Sequence, residues 1–161
     1  MELITTENKI ISEEERQRPK EIIQYIVIRL GEEQYGIDIR NIDTITRMPY
    51  VTRVPKMPAY LKGVINLRGV VIPVMSIRLR MNLEADEITK ATRIIVLKLG
   101  EEGKVGLIVD EVKEVVSLDV DDIEKIADST KEGKANLINA VGKHNGELIS
   151  LFDLNAISLE G

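Results

Sequence analysis

One pattern of turns and apolar runs occurs twice in this chain of 161 residues, and no other feature constrains its fold as strongly. The two copies follow the same order and differ by one inserted residue in their first part. The matching segments are Gly31-Glu-Glu with Gly100-Glu-Glu, Gly36-Ile-Asp-Ile with Gly106-Leu-Ile-Val, Ile42-Asp-Thr-Ile with Val112-Lys-Glu-Val, and 64–77 with 141–154.

Each copy is predicted to run strand, turn, strand, helical turn, long loop, strand, turn, strand. Ile22 to Leu30 and Gln34 to Asp38 are β-branched apolar runs on either side of a turn. Asn145-Gly146 lies between the last two apolar runs and predicts a type I′ hairpin. About five short strands without a long helix suit a small curved barrel. We therefore expect a mainly all-β fold of two packed five-stranded SH3-like β-barrel subdomains with a few short helices.

Two apolar rows have a spacing of three residues, which is typical of one face of a short helix or helical turn. They are Ile39, Ile42, Ile45 and Val109, Val112, Val115. On pattern alone such rows belong either to a core or to a groove, and core is the commoner use.

The repeat also predicts the domain organisation. Residues 1–20 carry no apolar stripe and are expected to form a mobile N-terminal tail. Residues 21–157 are expected to form a single domain. Its first subdomain would span about 21–83 and its second about 91–157, with strands that can be exchanged between the halves.

Composition narrows the class of function. The net charge of −5 and the absence of a concentrated basic run argue against a nucleic-acid partner, and one Phe with four Tyr offers few rings for stacking. Cys is absent, which removes disulfides and thiolate chemistry. No run approaches the about 18 apolar residues of a membrane span, so we expect no direct membrane insertion and a cytoplasmic location.

The residues that carry catalysis are scarce. His144 is the sole histidine; it is either a general base or, more commonly for its place before a turn, a solvated residue. Asp119, Asp121 and Asp122 lack the glycine and glutamate of a calcium loop, and a capped helical start explains them better. No phosphate-binding loop is present. We predict no catalytic residue, no metal site and no cofactor.

Binding remains as the function that the residues favour. Arg68 lies at the tip of Asn66-Leu-Arg-Gly69, between two apolar strands. An arginine on a rigid hairpin suits a protein interface because its fork donates several directed hydrogen bonds. A solvated turn arginine is the alternative from spacing alone.

Several ordered motifs resemble the CheW family of chemotaxis coupling proteins. They are Leu30-Gly-Glu-Glu-Gln-Tyr-Gly-Ile-Asp-Ile39, Val51-Thr-Arg-Val-Pro55, Pro58-Ala-Tyr-Leu-Lys-Gly63, Gly63-Val-Ile-Asn-Leu-Arg-Gly-Val-Val-Ile-Pro-Val74 and Gly106-Leu-Ile-Val-Asp-Glu-Val-Lys-Glu-Val-Val116. The resemblance covers residues 22–157 and implies two packed β-barrel subdomains without catalytic activity.

It also implies two partners, the cytoplasmic tip of a chemoreceptor and the regulatory domain of the chemotaxis histidine kinase. The protein would then be an adaptor recruited to receptor arrays at the inner face of the membrane. By position, the family's receptor-binding residues match Ile42, Thr44 and Arg68, with Val112 and Val115 on the opposite wall of a groove between subdomains. Many members have Glu at the position of Thr44, so a charged contact would be missing or moved to Asp43. No residue is assigned to the kinase contact.

Two rival functions belong to other classes. One is a tandem SH3-like nucleic-acid module, which the charge disfavours. The other is a small enzyme that uses His144.

Overall fold

The computed structural model describes residues 4–6, 9–11, 21–126 and 137–157. Its strands are β1 (Ile4–Thr6), β2 (Lys9–Ile11), β3 (Ile22–Leu30), β4 (Glu33–Asp38), β5 (Ile42–Arg47), β6 (Leu61–Leu67), β7 (Val70–Ser76), β8 (Arg93–Lys98), β9 (Lys104–Val109), β10 (Glu111–Asp119), β11 (Ile123–Lys125), β12 (Ile138–His144) and β13 (Glu147–Phe152). The helices of these residues are the short α1 (Ile77–Arg80) and 3-10 turns at Ile39–Asn41, Gly100–Glu102 and Val120–Asp122.

The strands of the domain form two sheets. Strand order is β10-β3-β4-β13-β12-β11 in the six-stranded sheet and β5-β8-β9-β7-β6 in the five-stranded sheet. The predicted all-β class is confirmed, and the two sheets are consistent with the predicted barrels. Each sheet contains strands of both sequence copies. In the six-stranded sheet β3 and β4 pair with β10 and β13, and in the five-stranded sheet β5 and β7 pair with β8 and β9. Strands are thus shared between the halves, and the division near 83–91 stays a prediction.

The two sheets repeat each other strand by strand. Each contains one parallel pair, β4 with β13 in one and β9 with β7 in the other. The 3-residue strand β11 beside β12 has its counterpart in an isolated bridge from Thr52 to Val64 on β6. The duplication predicted from the sequence is therefore present in the hydrogen-bonding pattern as well.

The apolar residues form three clusters, one within each sheet and one between the two sheets. Alternate residues of a strand point to opposite faces, so β3 sends Tyr25 and Val27 into a cluster of its own sheet and Ile26 and Ile28 into a cluster between the sheets. We call the cluster between the sheets the shared core. It also receives residues of the five-stranded sheet, such as Ile95 on β8. Burial on both faces explains why these strands are continuously apolar in the sequence.

The predicted helical rows are wrong except at Ile39, which begins the 3-10 turn Ile39–Asn41. The remaining residues of the rows lie on strands: Ile42 and Ile45 on β5, Val109 on β9, and Val112 and Val115 on β10. In β5 and β10 the register shifts by one residue, between Ile42 and Thr44 and between Val112 and Glu114. Such a β-bulge adds one residue to the period of two, and a spacing of three is the result.

Smaller predictions had mixed outcomes. Asn145 and Gly146 have φ of 50° and 80°, which confirms a turn with positive φ at both central residues. Pro73 has no N–H to donate to a ladder, which predicts an edge strand or a bulge, but β7 lies between β6 and β9. The position tolerates proline because β9 pairs only with Val74 to Ser76, after the ring.

The N-terminal segment contains a short hairpin. Strands β1 and β2 pair with each other and form a sheet of their own. Residues 12–20 lie outside the described residues, as do residues 127–136, whose polar composition predicts a loop. That residues 1–20 form a mobile tail stays a prediction.

Candidate protein-binding surface

Four of the five predicted contact residues lie on two equivalent edge strands. Ile42 and Thr44 are on β5, and Val112 and Val115 are on β10. Each strand ends its sheet and pairs with one neighbour only, β8 or β3. The structure thus gives the two walls expected from the sequence the same place in their respective sheets.

The bulges decide which way these side chains face. Ile42 and Ile45 stand opposite Leu97 and Ile95, and both partners belong to the shared core. Because partners two residues apart share a face, Ile42 and Ile45 are directed to the face of the sheet that carries the shared core. Val112 and Val115 stand opposite Ile28 and Ile26, also in the shared core.

Along each edge strand one apolar residue is packed and the next is exposed. Ile42 and Val112 are partly buried against the shared core. Ile45 keeps 36% of its surface exposed and Val115 keeps 55%. The shared core is therefore left open along both edge strands, and apolar surface remains there for a partner. Ile45 was not among the predicted contact residues, because the sequence pattern does not show that it is exposed.

Thr44 and Asp43 differ in their availability. Thr44 is partly buried on β5. The bulge residue Asp43 is exposed, but its Oδ2 accepts a hydrogen bond from Lys104 Nζ at 3.2 Å. The Asp43 carboxylate is therefore already paired with Lys104, which counts against the suggestion that it supplies the missing charged contact.

Arg68 occupies a backbone conformation that arginine seldom adopts. Arg68 and Gly69 have φ of 54° and 82°, close to the values of Asn145 and Gly146 at the equivalent turn. The Gly69 N–H donates to Asn66 Oδ1 at 3.0 Å, which closes the turn. A left-handed residue other than glycine costs roughly 1–2 kcal/mol, and asparagine tolerates it best. Arg68 is therefore not the residue that this turn would favour for stability, and a backbone outlier of this kind points to a functional role.

Arg68 is separated from the two edge strands. It is exposed at the tip of the β6–β7 hairpin, and β6 ends the five-stranded sheet on the side opposite β5 in strand order. Within the part of the chain that the structure describes, its side chain has no hydrogen bond or ion pair. Among the described residues the guanidinium is thus unpaired, and it lies on a different part of the surface from β5 and β10.

A network of charges ties the two sheets together near the surface. Asp110, between β9 and β10, accepts hydrogen bonds from Arg78 on α1 and from the Gly31 N–H at 2.8 Å. Arg29 on β3 lies 3.6 Å from the same carboxylate and donates to Glu111 at 3.1 Å. The hydrogen bond from Arg78 is the main reason that the pKa of Asp110 is lowered. The sequence analysis gave Arg29, Arg78 and Asp110 no role as a group, since they lie in different parts of the chain.

The described residues offer little for catalysis. His144 is partly buried at the end of β12, and its contact in the described structure is Asn145 Nδ2 at 3.3 Å from Nε2. Asp119 accepts from the Asp121 N–H at 2.9 Å and caps the 3-10 turn, as predicted. No cluster of His, Asp or Glu in the described segments is arranged to hold a metal ion. In the same part of the chain, no helix combines the length and apolar character needed to span a bilayer.

The chain is similar to proteins of one known family. The family model of the CheW-like domain matches residues 24–160. This chain belongs to the CheW-like domain family. Its relatives include chemotaxis protein CheW of Bacillus subtilis, 36% identical over 132 residues, covering 82% of this chain and 84% of that protein. Chemotaxis protein CheW of Helicobacter pylori is 33% identical over 138 residues, covering 86% and 82%.

A solved CheW-like structure supports the fold. The scaffolding protein TtCheW from Thermoanaerobacter tengcongensis has a TM-score of 0.75 and 30% sequence identity to this chain. The match covers 81% of this chain and 88% of that one.

Proposed function

We propose that this CheW-like protein is a non-enzymatic adaptor of bacterial chemotaxis. It couples transmembrane chemoreceptors to the chemotaxis histidine kinase, acting in the cytoplasm at receptor arrays on the inner face of the membrane. Family membership supports this function, as do relatives named chemotaxis proteins and a solved relative named a scaffolding protein.

The observation that carries the proposal is the exposed apolar edge of the shared core. Ile45 and Val115 sit at matching positions of β5 and β10 and face the side where the two sheets meet. Apolar surface that is exposed on the core side of a sheet is a usual sign of a binding groove. A helix with apolar residues three and four apart is the element that such a groove accepts.

The receptor contact is assigned to Ile42, Thr44, Arg68, Val112 and Val115. Ile42 and Val112 form the floor, where each packs against the shared core. Val115 contributes exposed apolar surface, and Arg68 supplies a free guanidinium on a rigid turn. Many members of the family have Glu at the position of Thr44, and the nearby Asp43 is bound to Lys104 in this chain. The proposed receptor contact is therefore less acidic than in those members.

The adaptor function requires that receptor and kinase bind at the same time. Purified protein is mixed with a receptor cytoplasmic fragment and the kinase, and the complex is sedimented. We expect kinase to sediment with receptor only when the adaptor is present. Mutual exclusion of receptor and kinase would contradict a bridging role.

A matched pair of variants tests the site within the same experiment. Arg68→Ala removes the guanidinium from one hairpin, and Asn145→Ala truncates the side chain at the equivalent position of the hairpin in the other sheet. We expect receptor binding to fall with Arg68→Ala and to persist with Asn145→Ala. Equal behaviour of the two variants would remove Arg68 from the receptor contact.

A further inference from the structure

Charge is distributed unevenly along this acidic chain. The 40-residue stretch from Thr44 to Leu83 contains no Asp or Glu, although the chain as a whole has a net charge of −5. Its basic residues are Arg47, Arg53, Lys56, Lys62, Arg68, Arg78 and Arg80. A region without acidic residues cannot neutralise its own cations locally, so any pairing must come from other parts of the fold or from a partner.

One arginine of this region, Arg47, lies opposite another cation from outside the region, an arrangement that electrostatics disfavours. Arg47 at the end of β5 stands directly opposite Arg93 at the start of β8 in the antiparallel ladder. Like charges directly opposite each other destabilise a pair of strands. Neither arginine has a carboxylate partner among the described residues, whereas Arg29, Arg40, Arg78 and Lys104 all do.

The two arginines border a cleft with a mixed lining. Its volume is about 440 Å³, and Lys90, Met48, Ile88 and two threonines complete the lining. We call it the Arg47–Arg93 cleft. Three cations and no carboxylate line it, and Ile88 keeps 55% of its surface exposed. The nearby Glu87 is exposed and does not belong to the lining.

The cleft is held in shape by hydrogen bonds. Arg93 Nη1 donates to the carbonyl oxygens of Lys90 and Thr92, both at 2.8 Å. The loop before β8 is closed by a bond from the Thr89 N–H to Thr92 Oγ1 at 2.9 Å. A guanidinium that is fixed beforehand loses less freedom when it binds a ligand. Arg93 is thus positioned by its own loop and still lacks an anion.

We propose that the Arg47–Arg93 cleft binds an acidic segment of a protein partner. Carboxylates of that segment pair with the arginine forks, which match carboxylate geometry. An apolar side chain between them packs on Ile88 and Met48. This surface goes beyond the proposed adaptor function, because none of its residues is among the proposed receptor contacts.

The chemistry of the cleft favours a protein over a polyphosphate or a lipid surface. The net charge of −5 repels long polyanions, so a short acidic segment is the ligand that a small local patch can hold. The apolar lining offers nothing to a phosphate backbone, whereas it complements an aliphatic side chain.

The test uses the whole chain and a synthetic probe. The probe is a capped hexapeptide of the order Glu-Leu-Glu-Glu-Leu-Glu, and its control has Gln in place of every Glu. Amide resonances are followed by NMR during titration. We expect shifts at residues 47–48 and 88–93 with the acidic peptide only, and weaker binding at higher salt. Arg47→Glu and Arg93→Glu should each weaken binding at least tenfold.

A matched variant separates this site from general charge. Lys98→Glu makes the same charge change at the exposed other end of β8, and it should alter affinity less than twofold. No binding at millimolar peptide, shifts elsewhere, or an equal effect of Lys98→Glu would overturn the proposal. Equal or tighter binding of heparin, an RNA homopolymer or anionic vesicles at the same residues would overturn it too.

Stability provides a second readout. Arg47→Thr relieves the repulsion with Arg93, so the melting temperature should rise while peptide binding is lost. A lower melting temperature would show that Arg47 stabilises the fold. It would contradict the proposal that Arg47 serves binding at a cost in stability.

Discussion

The carboxylate of Asp110 receives both arms of one guanidinium, with Arg78 Nε 2.8 Å from Oδ1 and Nη2 2.5 Å from Oδ2. Arg78 belongs to α1, next to the five-stranded sheet, and Asp110 also accepts from the Gly31 N–H after β3 of the other sheet. A paired, two-armed contact of this kind is both strong and directional. It fixes the relative position of the sheets whose edge strands flank the proposed groove.

Removal of Asp110 should therefore destabilise the whole domain. Asp110→Ala leaves Arg78 and the Gly31 N–H without their acceptor in a partly buried place. We expect the free energy of unfolding to fall by about 2–3 kcal/mol. Denaturant melting measures it. The control Glu111→Ala, at a more exposed partner of Arg29, should cost less than about 1 kcal/mol. Equal losses would show that Asp110 has no special role.

The same carboxylate predicts a dependence on acid. Hydrogen bonding from Arg78 lowers the pKa of Asp110 in the folded state. Its contribution is then complete above the unfolded pKa of about 3.9 and is lost as the pH falls through the lower folded pKa. The stability difference between the unmodified protein and Asp110→Asn should shrink below about pH 4. A difference that stays constant down to pH 2 would contradict this assignment.

Gly63 should resist substitution because of a close backbone approach. Its φ is 144°, and a Cβ there would lie 2.1 Å from the carbonyl oxygen of Thr52. Relief would break the pair of bonds between Thr52 and Val64, both 2.8 Å. Gly63→Ala should lower the free energy of unfolding by more than about 3 kcal/mol. At the matching position of the other sheet, Ala140→Gly should cost only about 1–2 kcal/mol.

Arg68 should strengthen receptor binding while it lowers the stability of the fold. Arg68→Asn creates the turn chemistry of Asn145-Gly146, so the free energy of unfolding should rise by about 0.5–1 kcal/mol. Receptor binding should weaken by about 1–3 kcal/mol. Calorimetric titration and denaturant melting on one preparation separate the two effects. The reverse change, Asn145→Arg, should lower stability and leave the receptor affinity unchanged. Normal receptor binding by Arg68→Asn would exclude Arg68 from the site.

Val115 tests the apolar groove directly. Val115→Asp places a charge on an exposed side chain, so the free energy of unfolding should change by about 1 kcal/mol or less. Receptor binding should fall by about 1–3 kcal/mol because the carboxylate loses water in the groove. Leu148→Asp, on β13 of the same sheet and 66% exposed, is the matched control and should bind normally. Similar losses in both variants would indicate a general effect of charge.

The spacing of three in the two apolar rows shows where a local pattern misleads. A helix repeats every 3.6 residues and a strand every two, so a row of three resembles the helix. The true cause is one bulged residue in each edge strand, Asp43 and Lys113. A bulge depends on pairing with a neighbouring strand, and the residues paired on either side of each bulge are more than 50 positions apart in the chain. No local rule could have identified it.

The sequence by itself determined the strands with clear apolar runs, the turns between them and the duplication. These features are local: β-branched runs favour strands, and Asn145-Gly146 favours a turn with positive φ. The resemblance of ordered motifs also identified the family. Tertiary structure alone decided the sharing of strands between the halves, the bonds that join Arg78 to Asp110, and the meeting of Arg47 with Arg93. Each of these joins residues far apart in the chain, and the choice among such contacts depends on how apolar faces of the whole domain can be buried together.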